Sequence, residues 1–200
     1  VIAEAPDKII LATGSMPRMD GIQLSNPAEP IIGFEQPHVL SSNDLFLMPA
    51  RDPGKSAVII DDCGHYEAIA CAEHLVERGV DVTFVTRHIS FAPLVEAALM
   101  SEPALRRLSN GRFTLHTRMR ALTISPDHVT LAPTFLSAHG NQTIKVPADT
   151  VVFVSRNRPI RDMAEALTDR GMAVTVVGDA NAPRFIPTAI REGHVAGASV

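Results

Sequence analysis

Two carboxylates, a thiol, an imidazole, a phenol and a third carboxylate follow one another in Asp61-Asp62-Cys63-Gly64-His65-Tyr66-Glu67. Three chemistries are open to such a run. A pair of aspartates could hold a hard cation, but six or more oxygen ligands are wanted and no further ligand cluster accompanies the pair, so solvated turn carboxylates are expected. His65 and Tyr66 could move a proton, but no second titratable group stands at a defined spacing from them. Packing or capping at a helix start is the better expectation. Cys63 and Cys71 lack a metal-type spacing and read as free thiols of a reducing, cytoplasmic compartment. The eight histidines are scattered, with no H-x-x-x-H pair on a predicted helix. Ser15 has no G-x-S-x-G elbow around it and is no hydrolase nucleophile. No metal ligand and no catalytic residue is assigned.

The elements that must position these residues are plain. Residues 57–60 are a short β-branched apolar run of strand length. Ala68, Ile69, Ala72, Leu75 and Val76 then recur at helical spacing, and Gly79 supplies the left-handed stop after the helix. Residues 82–85 are a second apolar strand. Strand, helix and strand make a βαβ unit with parallel strands and a right-handed crossover. In a dinucleotide-binding unit the first turn reads G-x-G-x-x-G, so that the backbone can approach the pyrophosphate and the helix can pack on the strand. Those three positions hold Asp61, Cys63 and Tyr66. The two aspartates also put negative charge where a pyrophosphate would arrive, against the preference of a helix N-terminus for an incoming anion. The expectation is a Rossmann-like domain that has lost ordinary dinucleotide binding. Where an acidic residue would read the ribose 2′-hydroxyl, at the end of the second strand, stand Thr86, Arg87 and His88. Arg87 could pair with a 2′-phosphate through its guanidinium fork; a solvated strand-end arginine is the alternative.

The rest of the chain bounds the answer. Two hundred residues fit one large or two small domains, and 46% hydrophobic content supports a core. A net charge of −4 without a basic stripe excludes nucleic acid as the expected partner. The apolar runs are too short to span a membrane, and no signal peptide is visible. The first residue is Val1 rather than Met, which reads as a piece of a longer protein. Residues 7–15 form a buried strand running into Gly14, and Met16-Pro17 continues extended. Residues 27–37 are a proline-rich connector, followed by a short strand and a helix capped near Ser42. Residues 94–100 and 102–108 read as helix. Four short alternating runs, 113–117, 120–124, 128–131 and 143–146, separated by Ser125-Pro126-Asp127 and His139-Gly140-Asn141, read as an antiparallel meander. Residues 150–154 are an apolar strand, 160–170 a helix, 173–177 a last buried strand and 187–196 a last helix.

Three separated segments carry a family resemblance. Residues 9–18, IILATGSMPR, resemble the ATG-type strand and turn of flavoprotein reductases with two dinucleotide domains. Residues 56–88 resemble their inserted pyridine-nucleotide domain. The stretch from Ala173, AVTVVGDANAPRF, resembles their C-terminal flavin motif. The run DD-x-G-H-Y-E in place of the glycines is similar to that of the trimethylamine dehydrogenase and histamine dehydrogenase group of the NADH:flavin oxidoreductases. That family also includes dienoyl-CoA reductase and amine or N-methylproline demethylases. The resemblance covers essentially the whole chain but only the C-terminal third of such a protein.

The resemblance implies an α/β fold: a Rossmann-like three-layer domain with a parallel sheet and an antiparallel β-meander, plus part of a second nucleotide-binding fold built from the two chain ends. The inserted NAD(P)-type domain would span residues 18–149. Residues 1–17 and 150–200 would form the partial FAD/ADP-type domain. The resemblance further implies that Asp179, after Gly178, accepts hydrogen bonds from ribityl or ribose hydroxyls, which suits a carboxylate facing a diol. Gly14 would turn the backbone beside the same ligand. The cofactor-binding candidates are therefore Gly14, Gly178, Asp179 and Arg87. ADP or FAD is expected at the partial domain. The parent enzyme would carry FMN and an iron–sulfur cluster in an N-terminal barrel, the main partner of this region; oligomerisation is left open. Two functions follow. One is a scaffold or adenine-nucleotide-binding region of an amine or N-methyl amino acid dehydrogenase or demethylase. The other is a working NAD(P)H-binding domain of a dienoyl-CoA reductase-like enzyme.

Overall fold

The computed structural model describes residues 2–48, 51–136 and 142–200. The chain divides into two compact units, Arg18–Ser155 and, from both ends, Val1–Pro17 with Arg156–Val200. In chain order the elements are β1 (Ile9–Leu11), β2 (Ser15–Met16), β3 (Val39–Ser41), α1 (Ser42–Leu47), β4 (Ser56–Asp61), α2 (Tyr66–Glu77), β5 (Asp81–Thr86), α3 (Ser101–Leu108), β6 (Phe113–His116), β7 (Met119–Ile124), β8 (His128–Pro133), β9 (Ile144–Pro147), β10 (Thr150–Val154), β11 (Arg158–Pro159), α4 (Asp162–Thr168), β12 (Val174–Val176) and α5 (Ile186–Gly197). Among the described residues no helix is long and apolar enough to cross a membrane.

The inserted unit is a three-layer α/β structure. Its sheet runs β3-β10-β4-β5-β6, with every pairing parallel. Alternate residues of β4 face opposite layers, as the period of a strand requires. Ala57 and Ile59 join α2 and α3 residues such as Ala72, Leu75 and Leu108 in one core. Val58 and Ile60 join Ile124, Val129 and Leu131 of the antiparallel sheet β7-β8-β9 in the other. The helix α1 starts with a capping box: Ser41 Oγ accepts from the Asp44 backbone N–H, and the Asp44 carboxylate accepts from the Ser41 backbone N–H at 2.9 Å.

Three elements differ from the sequence reading. β6 belongs to the parallel sheet beside β5, so the meander has three strands rather than four. The 26 residues between Thr86 and Phe113 hold α3 and a 3₁₀ turn, enough for a parallel crossover. Residues 93–98 are that 3₁₀ turn rather than α-helix, flanked by left-handed Ala92 and Leu99 at φ 44° and 57°. β10 sits between β3 and β4, not with the chain ends. Its five residues are all buried, which suits a central strand covered on both faces. The turn expected at 139–141 lies outside the described residues.

The chain-end unit is smaller. β1 and β12 pair in parallel, Ile9 opposite Val174 and Leu11 opposite Val176, and β2 pairs antiparallel with β11. Ile9, Leu11, Ala164 and Leu167 form its core, with Met172, Val174 and Val176 packed against them. β12 is half-buried rather than fully buried.

Candidate functional site

In the inserted unit, β4 ends on Asp61 and the chain turns into α2. Both aspartates of this turn are buried, at 1% and 2% exposure, where solvated carboxylates were expected. Asp61 Oδ1 accepts from the backbone N–H groups of Gly64 at 2.8 Å and Cys63 at 3.1 Å, and its Oδ2 accepts from the Thr86 hydroxyl at 3.0 Å. The carboxylate thus closes its own turn, as aspartate does in Asx-type turns, and ties β4 to the end of β5. Burial pushes its pKa up from 3.8 to about 6, against the opposing pull of those hydrogen bonds. Asp62 points elsewhere. Its Oδ2 accepts from the Leu24 backbone N–H at 2.7 Å and the Ser155 hydroxyl at 3.3 Å. Its Oδ1 pairs with Arg87 Nε at 3.1 Å, and Arg87 Nε also reaches the Asp62 carbonyl at 3.2 Å.

Arg87 therefore spends its Nε on Asp62. A 2′-phosphate at Arg87 would have to share or displace that pair. The turn's glycine is used for packing as well. Gly64 has φ +71°, and a Cβ there would meet His88 Nε2 at 2.8 Å and Pro93 Cδ at 3.0 Å. A Gly64→Ala substitution is expected to cost about 2 kcal/mol, from left-handed strain together with the clash. Urea unfolding measures it, and a cost below about 0.5 kcal/mol would contradict this packing role. At the start of α2, His65 is the N-cap residue and makes no side-chain capping bond; its ring stands edge-on to Tyr66. Glu67 in the first helical turn accepts from Ser42 Oγ at 2.5 Å. A carboxylate of the chain itself already sits near the positive end of the helix.

In the chain-end unit the other three candidates come together. Gly14 (φ +79°) turns the chain after β1, and its carbonyl accepts from the Ile160 backbone N–H at 3.0 Å. Among the described residues nothing lies within 4 Å of where its Cβ would be, so the backbone angle alone accounts for this glycine. Gly178 (φ +65°) opens the 3₁₀ turn Gly178–Ala180, and a Cβ there would stand 3.4 Å from Ala189 of α5. Asp179 in that turn accepts from Ser15 Oγ at 3.1 Å and from the Arg184 backbone N–H at 3.3 Å. The β1–β2 turn is thereby joined to the loop that leads into α5.

Three participants were missed in the sequence. Glu192 of α5 accepts from the Gly178 backbone N–H at 2.9 Å and from Asn181 Nδ2 at 3.3 Å, and it pairs with Arg184. The Gly178 N–H, ahead of the other groups, holds its carboxyl below the ordinary range. In the sequence Ser15 stands out only as a serine without a nucleophile elbow, and nothing singles out Asn157. The one sequence signal for Glu192 is an acidic residue on the helix that follows Gly178-Asp179.

No family model matches the chain. It is 33% identical over 122 residues to a probable N-methylproline demethylase of Rhizobium meliloti (strain 1021), covering 60% of this chain and 16% of that protein. It is 26% identical over 197 residues to a bilirubin reductase of Mediterraneibacter gnavus (strain CC55_001C), covering 98% of this chain and 28% of that protein. The chain thus spans less than a third of the length of either relative. Its fold is similar to that of 6-hydroxypseudooxynicotine amine oxidase from Pseudomonas geniculata N1, with a TM-score of 0.88 and 25% identity over 98% of this chain and 29% of the other. In sequence and in fold the chain resembles part of each of these proteins, as its motifs resemble the C-terminal region of the NADH:flavin oxidoreductases.

Proposed function

We propose that this chain is the nucleotide-fold region of a flavin-dependent oxidoreductase acting on N-methylated amines or amino acids, and that its own part is to hold structure and an adenine nucleotide rather than to catalyse. Relatives named as a demethylase, a reductase and an amine oxidase support the oxidoreductase class. The observation that carries the rest is the contrast between two turns. In the inserted unit the β4–α2 turn is filled by inward-facing carboxylates, with Arg87 engaged on Asp62. In the chain-end unit Gly14, Gly178 and Asp179 set an acidic side chain beside two backbone turns with positive φ.

On this reading ADP or FAD binds at the chain-end unit, with Asp179 accepting from hydroxyls of its ribose or ribityl chain. A barrel elsewhere in the longer polypeptide would carry FMN and an iron–sulfur cluster, hold the substrate and be this region's chief partner. The enzyme would work in the cytoplasm.

The test is thermal stability of the full-length natural polypeptide with ADP, FAD, NADH and NADPH. A ligand at a hundred times its dissociation constant stabilises the state it binds by about 2.7 kcal/mol. ADP or FAD should raise the melting temperature, and NADPH should add nothing beyond ADP. NADPH stabilisation well above that of ADP, abolished by Arg87→Ala, would instead establish a working NAD(P)H site at the inserted unit.

A further inference from the structure

We infer that Ser15 and Asn157 form a two-step hydrogen-bond relay that orients the Asp179 carboxylate for a ligand's hydroxyl groups, making both of them positioning residues of the nucleotide site. The inference rests on the nucleotide-binding reading given above. It follows from two distances and the donor inventory of the groups. Asp179 as a carboxylate only accepts, so the single proton of Ser15 Oγ, 3.1 Å from Asp179 Oδ2, is directed at it. Ser15 Oγ then has only lone pairs to offer Asn157. The Asn157 amide must turn its N–H toward it, and Nδ2 stands 3.3 Å away.

The consequence falls on the other end of Asn157. Its Oδ1 is buried and has no hydrogen-bond partner among the described residues. A buried acceptor left unsatisfied destabilises the fold. Rotating the amide would face Oδ1 toward Ser15 and draw the hydroxyl proton away from Asp179. The arrangement that leaves Oδ1 without a donor is therefore the one that keeps the Ser15 proton on Asp179.

The relay joins three separate segments. Ser15 begins β2, Asn157 lies just before β11, and Asp179 lies in the 3₁₀ turn after β12. On the other side the Arg184 backbone N–H holds Asp179 Oδ1 at 3.3 Å. The carboxylate is thus pinned through both oxygens, and each keeps lone pairs for a ligand. A carboxylate pinned in this way loses little side-chain freedom when a diol binds.

The experiment measures FAD and ADP affinity by calorimetry on the full-length polypeptide stripped of nucleotide, for the wild type, S15A, S15T, D179A and the S15A/D179A double variant. S15A is expected to weaken whichever of the two ligands D179A weakens, by roughly tenfold, the scale of one hydrogen bond to a charged group. S15T keeps the hydroxyl and should bind like the wild type. Because Ser15 acts through Asp179, the double variant should bind as D179A alone does; independent contributions would multiply instead. Wild-type affinity in S15A alongside a loss in D179A overturns the relay and leaves the site standing. A double variant weaker than D179A by the full S15A factor also overturns it. Undiminished FAD and ADP binding in D179A itself rejects the nucleotide site, and the relay with it.

Discussion

Asp62→Ala is expected to destabilise the inserted unit by about 3 kcal/mol, and so to lower its melting temperature by roughly 10 °C. The side chain is 3% exposed and serves three partners from separate parts of the chain: Leu24, Arg87 and Ser155. Removing the carboxylate leaves the Leu24 N–H and the Ser155 hydroxyl without that acceptor, and Arg87 with only the Asp62 carbonyl of the pair it had. An uncompensated buried donor costs about 1–3 kcal/mol. Arg87 is 29% exposed on its side chain and can turn partly to water, so the loss stays below that of a fully buried ion pair. Asp62→Asn should cost less, because its oxygen can still accept from the Leu24 N–H and the Ser155 hydroxyl, although the ion pair is lost and its amide N–H groups then face the Arg87 donor. Urea unfolding of the two variants and of Arg87→Ala decides the matter. If Asp62→Ala changed stability by less than about 1 kcal/mol, the turn would not be fastened by this carboxylate. A near-neutral Arg87→Ala would release the arginine for a ligand, in favour of the NAD(P)H alternative.

How much of this was legible in the sequence depends on the distance over which each feature is decided. The βαβ unit is local: the apolar run at 57–60, the helical spacing from Ala68 to Val76 and Gly79 lie within one stretch, and the structure has β4, α2 and β5 there. β10 reads as a strand, but four apolar residues and a threonine reveal burial and not the neighbours that provide it. β6 was misread for a physical reason. It is an edge strand of the parallel sheet, and its half-exposed residues alternate as those of an antiparallel hairpin do. The burial of Asp61 and Asp62 could not be read locally. Asp62 takes its hydrogen bonds from residues 38 and 93 positions away, and a polar pair in a turn carries no sign of them. Ser15 and Asp179 are 164 residues apart and meet only because β1 and β12 are neighbours. Gly178-Asp179 was visible as a motif; the serine that orients it was not.

Asp61→Asn is expected to remove a pH dependence of stability that amounts to about 2.4 kcal/mol between pH 4 and pH 7. Asp61 is 1% exposed, and its pKa in the folded chain is about 6 against an ordinary value of 3.8, with burial the largest cause. The folded state therefore holds this proton more tightly than the unfolded state. The stabilisation from that proton is complete below about pH 3.8 and is lost as pH rises through 6, so the wild type keeps a buried charge at neutral pH at the expense of stability. Asparagine carries no charge, and its Oδ1 can still accept from the N–H groups of Gly64 and Cys63. Its Nδ2 is a donor where Asp61 Oδ2 accepts from Thr86, which sets a roughly constant offset of about 1 kcal/mol at all pH values. The readout is therefore the difference in unfolding free energy between variant and wild type as a function of pH, not either value alone. This choice matters because Asp127, Asp149 and Glu192, all held below their ordinary range by hydrogen bonds, give both proteins a dependence of the opposite sign in acid. In the difference those contributions cancel. The variant should gain on the wild type steadily from pH 4 to about pH 7 and then run level with it. Two curves that stay parallel across that range would mean that Asp61 is ionised in the folded turn as readily as in water, and that its three hydrogen bonds offset its burial.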